Sequence, residues 1–226
     1  MIRRHALDDS LRFSTKRYEL KNRDIMSSNV SAGEVVITVS KSILIITNIS
    51  KRANVRSLLQ VGVAFGCTKI FVVGQKAFNF TTCSDGDDST SNNSTAVVSD
   101  IPKHLIQVFA SRIIAIERFD KWHDCVSHLR EHSILLIGVE IHEDAKTIQE
   151  ICHKLDRANN TGGKDVAFLM GNEGTGLQDK QMKSCDMFCR IPQYGSGTAS
   201  LNVYVAASII LYHFHQYQRR QRVEKV

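Results

Sequence analysis

From residue 42 onward, short apolar runs rich in β-branched residues alternate with segments of helical periodicity, and few architectures accept such a pattern. The run 42–49, SILIITNI, is apolar almost throughout, as a strand covered on both faces must be. Residues 54–65 follow with Val55, Leu58, Leu59, Val61, Val63 and Phe65, a helix that Gly66 stops before a strand over 69–74. That is one β-α-β unit. The alternation resumes near residue 100, where Asp100 as cap and Pro102 signal a helix leading into 105–109. Strands are expected over 112–119, 134–141, 165–170 and 187–191, and helices from an Asp120 cap to 132, over 144–155, over 178–185 and over 199–218. The expectation is an α/β domain, a mostly parallel sheet with helices on both faces. Ligands of such sheets sit outside the carboxyl ends of the strands, so chemistry is sought in the loops after Ile49, Val139, Met170 and Ile191.

Around this domain, 41–218, lie segments of a different character. Residues 1–40 are polar and carry Arg3, Arg4, Arg12, Lys16, Arg17, Lys21 and Arg23 without periodicity, which reads as a mobile arm. Residues 81–100, dominated by Ser, Thr, Asn, Asp and Gly, read as a flexible surface insertion, and 219–226 form a basic tail. The formal net charge of +6 favours polyanionic partners and is a weak pointer to nucleic acid. The six cysteines, Cys67, Cys83, Cys125, Cys152, Cys185 and Cys189, form no Cys-x-x-Cys pair and read as free thiols of a reducing compartment, with no metal site. No apolar run is long enough for a bilayer, and the start of the chain lacks a secretory apolar stretch. An intracellular, cytoplasmic location is expected, with nucleus and organelle left open.

Two segments carry chemistry. In the first, Gly171-Asn172-Glu173-Gly174-Thr175-Gly176-Leu177 follows a strand directly and lets backbone N–H groups approach a ligand closely. It is neither a Gly-x-Gly-x-x-Gly fingerprint nor a phosphate loop ending in Gly-Lys-Ser/Thr. In the second, Ile191-Pro192-Gln193-Tyr194-Gly195 runs through a glycine-bearing turn to Ser200-Leu201-Asn202, the polar start of an apolar helix. The pair, in this order, resembles the second and third motifs of the SpoU (TrmH-like) RNA 2′-O-ribose methyltransferases, a branch of the SPOUT superfamily. Gln193 stands where that family has Met, Tyr204 where it has a small polar residue, and the turn from Gly195 to Ser200 is one residue longer.

The resemblance implies a C-terminal trefoil knot that folds around S-adenosylmethionine, a homodimer, and RNA (tRNA or rRNA) as substrate. It implies that Gly171, Ile191 and Leu201 hold the donor through backbone contacts, with Val139 or Glu140 as a looser match in the preceding loop, and that Glu173, Ser200 and Asn202 organise the site. The family's first motif is Asn-x-x-x-x-x-Arg followed by Phe-Gly, and here Asn54, Phe65 and Gly66 match while Gln60 occupies the Arg position. An amide supplies neither a cation nor a base. Arg56, one turn earlier, shares a helix face with Gln60 and offers a guanidinium, or it is a solvated surface residue. Two readings therefore stand: an active enzyme with Asn54, Arg56 and Gln60 at its catalytic helix, or a donor- or RNA-binding relative without catalysis. Arg219, Arg220 and Arg222 suit either RNA phosphates or the dipole of their own helix, and Trp122 reads as core rather than as a base-stacking residue.

Overall fold

The computed structural model describes residues 40–82, 99–158, 164–172, 174–195 and 200–223. The expected arm, except Ser40, and most of the 81–100 insertion lie outside these residues. In chain order the elements are β1 (Ser42–Thr47), α1 (Arg52–Ala64), β2 (Lys69–Val73), a 3-10 turn (Lys103–Leu105) running into α2 (Ile106–Ala110), β3 (Ala115–Phe119), α3 (Trp122–Glu131) and β4 (Leu135–Val139). Then come α4 (Ile148–Ala158), β5 (Val166–Met170), α5 (Asp179–Met182), β6 (Met187–Cys189) and α6 (Val203–Val223). The strands form one sheet in the order β3-β2-β1-β5-β4-β6, every pair parallel.

β1 is central, and all six of its residues are buried. Side chains alternate along it. Leu44 and Ile46 join Ile70, Val72, Phe168 and Phe214 on the face covered by α1, α4 and α6. Ile43 and Ile45 join Phe71, Leu169 and the α3 residues Cys125 and Leu129 on the other. Helices thus cover both faces, as the alternating pattern requires. The Trp122 ring packs beside the second cluster and its Nε1–H donates to Ser184 Oγ at 3.2 Å, consistent with a core role. The end of α6 is fastened to the chain entering β1 by the buried Gln218, whose Nε2–H donates to the Ser40 carbonyl at 2.6 Å.

The close of α1 follows from sequence. Gly66 adopts a φ of +69°, its N–H donates to Val63 O at 3.2 Å, and Cys67 N–H donates to Gly62 O at 2.9 Å. These are the two bonds of a Schellman ending. Other boundaries differ from expectation. Asp100 is no helix cap: its carboxylate, 1% exposed, receives Arg52 Nη1 at 2.5 and 2.7 Å and the Asn79 N–H at 2.9 Å. Asp120 is exposed and the cap position of α3 falls on Lys121 without a side-chain bond. β3 starts at Ala115 because Arg112, at a φ of +56°, still belongs to the turn after α2. β4 and β6 stop short, at Val139 and Cys189.

α4 begins at Ile148 rather than 144, since Thr147 and Glu150 form a capping box: Glu150 Oε2 accepts from Thr147 N–H and Oγ1–H at 2.7 and 2.9 Å, and Glu150 N–H donates to Thr147 Oγ1 at 3.3 Å. The residues before it are drawn into a parallel bridge between Lys146 and Cys189. α5 is confined to Asp179–Met182, and α6 starts at Val203 and runs to Val223 rather than over 199–218.

Candidate functional site

All six strands are parallel, so their carboxyl ends lie along one edge. There the loops after β4, β5 and β6 enclose a cleft bordered by Val139, Glu140, Gly171, Ile191, Ser200 and Leu201, among others. Its enclosed volume is about 100 Å³, below the ~300 Å³ where small-molecule pockets begin, so the described residues account for part of such a site. Met170, Val203 and Ala206 contribute apolar surface, and Asn172, Arg190 and Gln193 contribute polar groups. Ile141 borders the cleft at 70% exposure, and Tyr194, two residues after the β6 loop residue Pro192, stands 96% exposed.

Glu140 organises the glycine loop. Its Oε2 accepts the Leu177 N–H at 2.9 Å and its Oε1 accepts the Ile141 N–H at 3.0 Å, so the carboxylate lies between two strand ends. A β-carbon on Gly171 would fall 2.6 Å from Glu140 Oε2, and one on Gly176 would meet the same carboxylate at a residue whose φ is +64°. Gly171 is therefore required first by Glu140, not by a ligand alone. Asn172 and Gly176 exchange N–H···O bonds of 3.1 and 2.9 Å that close the loop. The Asn172 side chain accepts the Gly174 N–H at 2.9 Å and donates from Nδ2 to the Asn48 carbonyl, tying the loop to the end of β1. Asn48 itself holds a φ of +56°, a left-handed conformation that Asn tolerates better than most residues.

The sequence-selected residues divide into groups. Val139, Gly171, Ile191 and Leu201 line the one cleft, with Ser200 beside them. Asn202 is exposed and its Oδ1 accepts the Tyr204 N–H at 3.1 Å, which caps α6. Glu173 lies outside the described residues. Asn54, Arg56 and Gln60 lie on α1 and are not among the cleft's lining residues. Asn54 is buried, whereas Arg56 and Gln60 are exposed. Arg56 Nη2 sits 3.9 Å from Asp100 Oδ1, a carboxylate that already takes two bonds from Arg52, so its guanidinium is only loosely paired.

Neither motif nor spacing marks Glu140 as the loop's organiser, Asn172 as its tie to β1, or Asp100 as the anchor of α1. One signal was present. Two glycines five residues apart around an Asn mark a loop that must pass close to something, and that something is Glu140. Among the described residues the five cysteines Cys67, Cys125, Cys152, Cys185 and Cys189 are unpaired, and burial pushes each thiol up to about 12, which keeps them protonated. No His, Cys, Asp and Glu side chains group there in a way that would hold a metal ion.

A model described as the SpoU rRNA methylase family matches residues 98–212, which spans β3 to β6, the cleft and the first half of α6. A 23S rRNA (guanosine-2′-O-)-methyltransferase, RlmB, of Vibrio vulnificus is 31% identical over 103 residues, 46% of this chain and 37% of that protein. The chain thus aligns with little more than a third of that relative's length. Among solved structures, the TrmH/SpoU tRNA modifying enzyme of A. aeolicus superposes at a TM-score of 0.55 with 18% identity, over 94% of this chain and 86% of that one. The SpoU methyltransferase AviRb of Streptomyces viridochromogenes, in complex with the cofactor AdoMet, superposes at 0.54 with 21% identity, over 84% and 60%. These likenesses show the same fold.

Proposed function

The chain belongs to the SpoU rRNA methylase family, and on that premise we propose that it is an S-adenosylmethionine-dependent methyltransferase of the ribose 2′-hydroxyl in tRNA or rRNA. The observation that carries this reading is that Val139, Gly171, Ile191 and Leu201, taken from three separate stretches of sequence, line one cleft at the carboxyl edge of the sheet. The cleft suits the donor. Val139, Ile191, Leu201 and Ala206 offer apolar surface to a purine ring, Gly171 brings backbone close, and the Glu140 carboxylate fixes the loop that does so. When bound, the donor supplies a methyl group on a cationic sulfur, which departs as a neutral thioether once the ribose oxygen bonds to the methyl carbon.

The chain's own work is to position. Bringing the hydroxyl into line with the methyl replaces a bimolecular encounter by a bound one. The hydroxyl proton must also leave, and Arg56, loosely paired and one helical turn before Gln60 at the family's arginine position, is able to hold the adjoining phosphate and favour the alkoxide. The second reading, a donor- or RNA-binding relative without catalysis, is favoured by Gln60, an exposed amide where the family has Arg.

Labelled donor incubated with tRNA and rRNA, followed by nucleoside mapping, tests the reading. The expected product is a 2′-O-methyl nucleoside, and Arg56→Ala lowers its formation ~10²-fold with donor binding intact. Donor binding without transfer to any RNA would favour the second reading, and Gln60→Arg would then restore activity.

A further inference from the structure

The carboxyl edge of the sheet is electrically divided. On the half formed by β4, β5 and β6, the loops and the start of α5 carry Glu140, Glu143, Asp144 and Asp179 against Lys146, Lys180 and Arg190. On the half formed by β1, β2 and β3, the exits and the segment before α2 carry Lys51, Arg52, Arg56, Lys76, Lys103 and Lys121, all exposed, against the exposed Asp120. The one buried acid of that half, Asp100, is neutralised by its two bonds from Arg52, and it pins the segment before Lys103 to the β2 exit through paired bonds with Asn79, its own N–H donating at 2.7 Å. Arg52 lies over the Phe78 ring at 5.4 Å and its second terminal nitrogen donates to the Ala77 carbonyl at 3.2 Å, so the anchored side chain fixes this exit while its neighbours supply the free charge. The two halves meet where Asn172 bonds to the Asn48 carbonyl, at the β1–β5 boundary.

We infer that this cationic strip over the β1-β2-β3 exits is the track along which the RNA backbone approaches the cleft. The inference rests on the RNA methyltransferase reading and adds where the substrate lies. A polyanion crossing the opposite half would meet more carboxylates than cations. On the strip it meets a row of basic side chains on neighbouring loops, spread across three strands ~4.8 Å apart and leading to the cleft's open side. No base edge is read by such contacts. They set register and affinity, and the cleft selects the nucleotide.

The test compares two triple variants with the same change of charge. Lys51→Gln/Lys76→Gln/Lys103→Gln removes the strip, and Lys154→Gln/Lys180→Gln/Lys183→Gln removes three exposed lysines elsewhere. Binding of fluorescein-labelled tRNA and an rRNA fragment is followed by anisotropy over a range of salt concentrations, with S-adenosylhomocysteine affinity and thermal melting as checks on folding. The strip variant is expected to lose tenfold or more in RNA affinity near physiological salt, and its log-log salt slope to flatten by roughly 2, since each phosphate contact contributes roughly 0.7 to 0.9. The control variant is expected to keep the wild-type slope. Equal losses in the two triples would overturn the track. Wild type that binds donor but no RNA would overturn the underlying reading instead. The single charge reversal Lys76→Glu, at an exposed turn, repeats the comparison should the triple melt early, and unchanged RNA affinity there also overturns the track.

Discussion

Gly176→Ala is the most informative substitution in the glycine loop, because two separate physical costs meet at that residue. Its φ of +64° is left-handed, which costs an alanine ~1–2 kcal/mol. The new β-carbon also lands on the Glu140 carboxylate, which must leave the Leu177 N–H it holds at 2.9 Å. Losing a hydrogen bond to a charged acceptor costs ~1.5–3 kcal/mol. The sum is ~2.5–5 kcal/mol, and for a chain of 226 residues this is a fall in melting temperature of ~5–20 °C. The decisive assay is a double-mutant cycle with Glu140→Ala, read by thermal or chemical denaturation. With the carboxylate gone only the backbone cost remains, so Gly176→Ala in that background costs ~1–2 kcal/mol and the coupling is ~1.5–3 kcal/mol. Additive effects would refute the role assigned to Glu140.

Four further outcomes are expected. Asp100→Ala leaves the Asn79 N–H and the half-exposed Arg52 without their acceptor and lowers stability by ~1–3 kcal/mol, measured by denaturant melting. Donor affinity is less affected, since Asp100 is not among the residues lining the cleft. With Cys83→Ser introduced, a thiol reagent at pH 8 labels the native protein negligibly and the five remaining cysteines fully in denaturant, because their thiols titrate near 12 when folded. Burial and the neighbouring His132 hold His128 below the ordinary histidine range. Its contribution to stability is therefore complete above pH ~6.5 and is lost as pH falls from there toward the folded value. His128→Leu flattens that acid limb in melting curves taken from pH 7 to 5. Light scattering is expected to give about twice the 25.4 kDa chain mass, since Val205, Ile209 and Tyr212 on α6 keep part of their apolar surface exposed while Ile210 and Phe214 fill the core.

Local chemistry made much of this molecule readable. The all-buried β1 and the Gly66 ending of α1 are written in consecutive residues, and so are Gly171, Ile191 and Leu201, which two short motifs carry. What depends on distant partners was not readable. Asp100 looks like a helix cap from its neighbour Pro102, yet its partner Arg52 lies 48 residues away. Glu140 reads, like Val139, as a loose match to a donor contact, and its bond to Leu177 spans 37 residues. The start of α4 was misplaced for another reason: Thr147 and Glu150 carry a capping-box spacing, and the earlier Asp144 drew the boundary away from it. The pull of β6 on Lys146 and its neighbours then settled the matter.

The central claim is that the cleft holds the methyl donor, and crystals grown with S-adenosylhomocysteine test it directly. Ligand density is expected against Gly171, Ile191 and Leu201, with the adenine on the apolar side of the cleft and Glu140 still bonded to the Leu177 N–H. Density at any other place on the sheet edge, or none at saturating ligand, would contradict it.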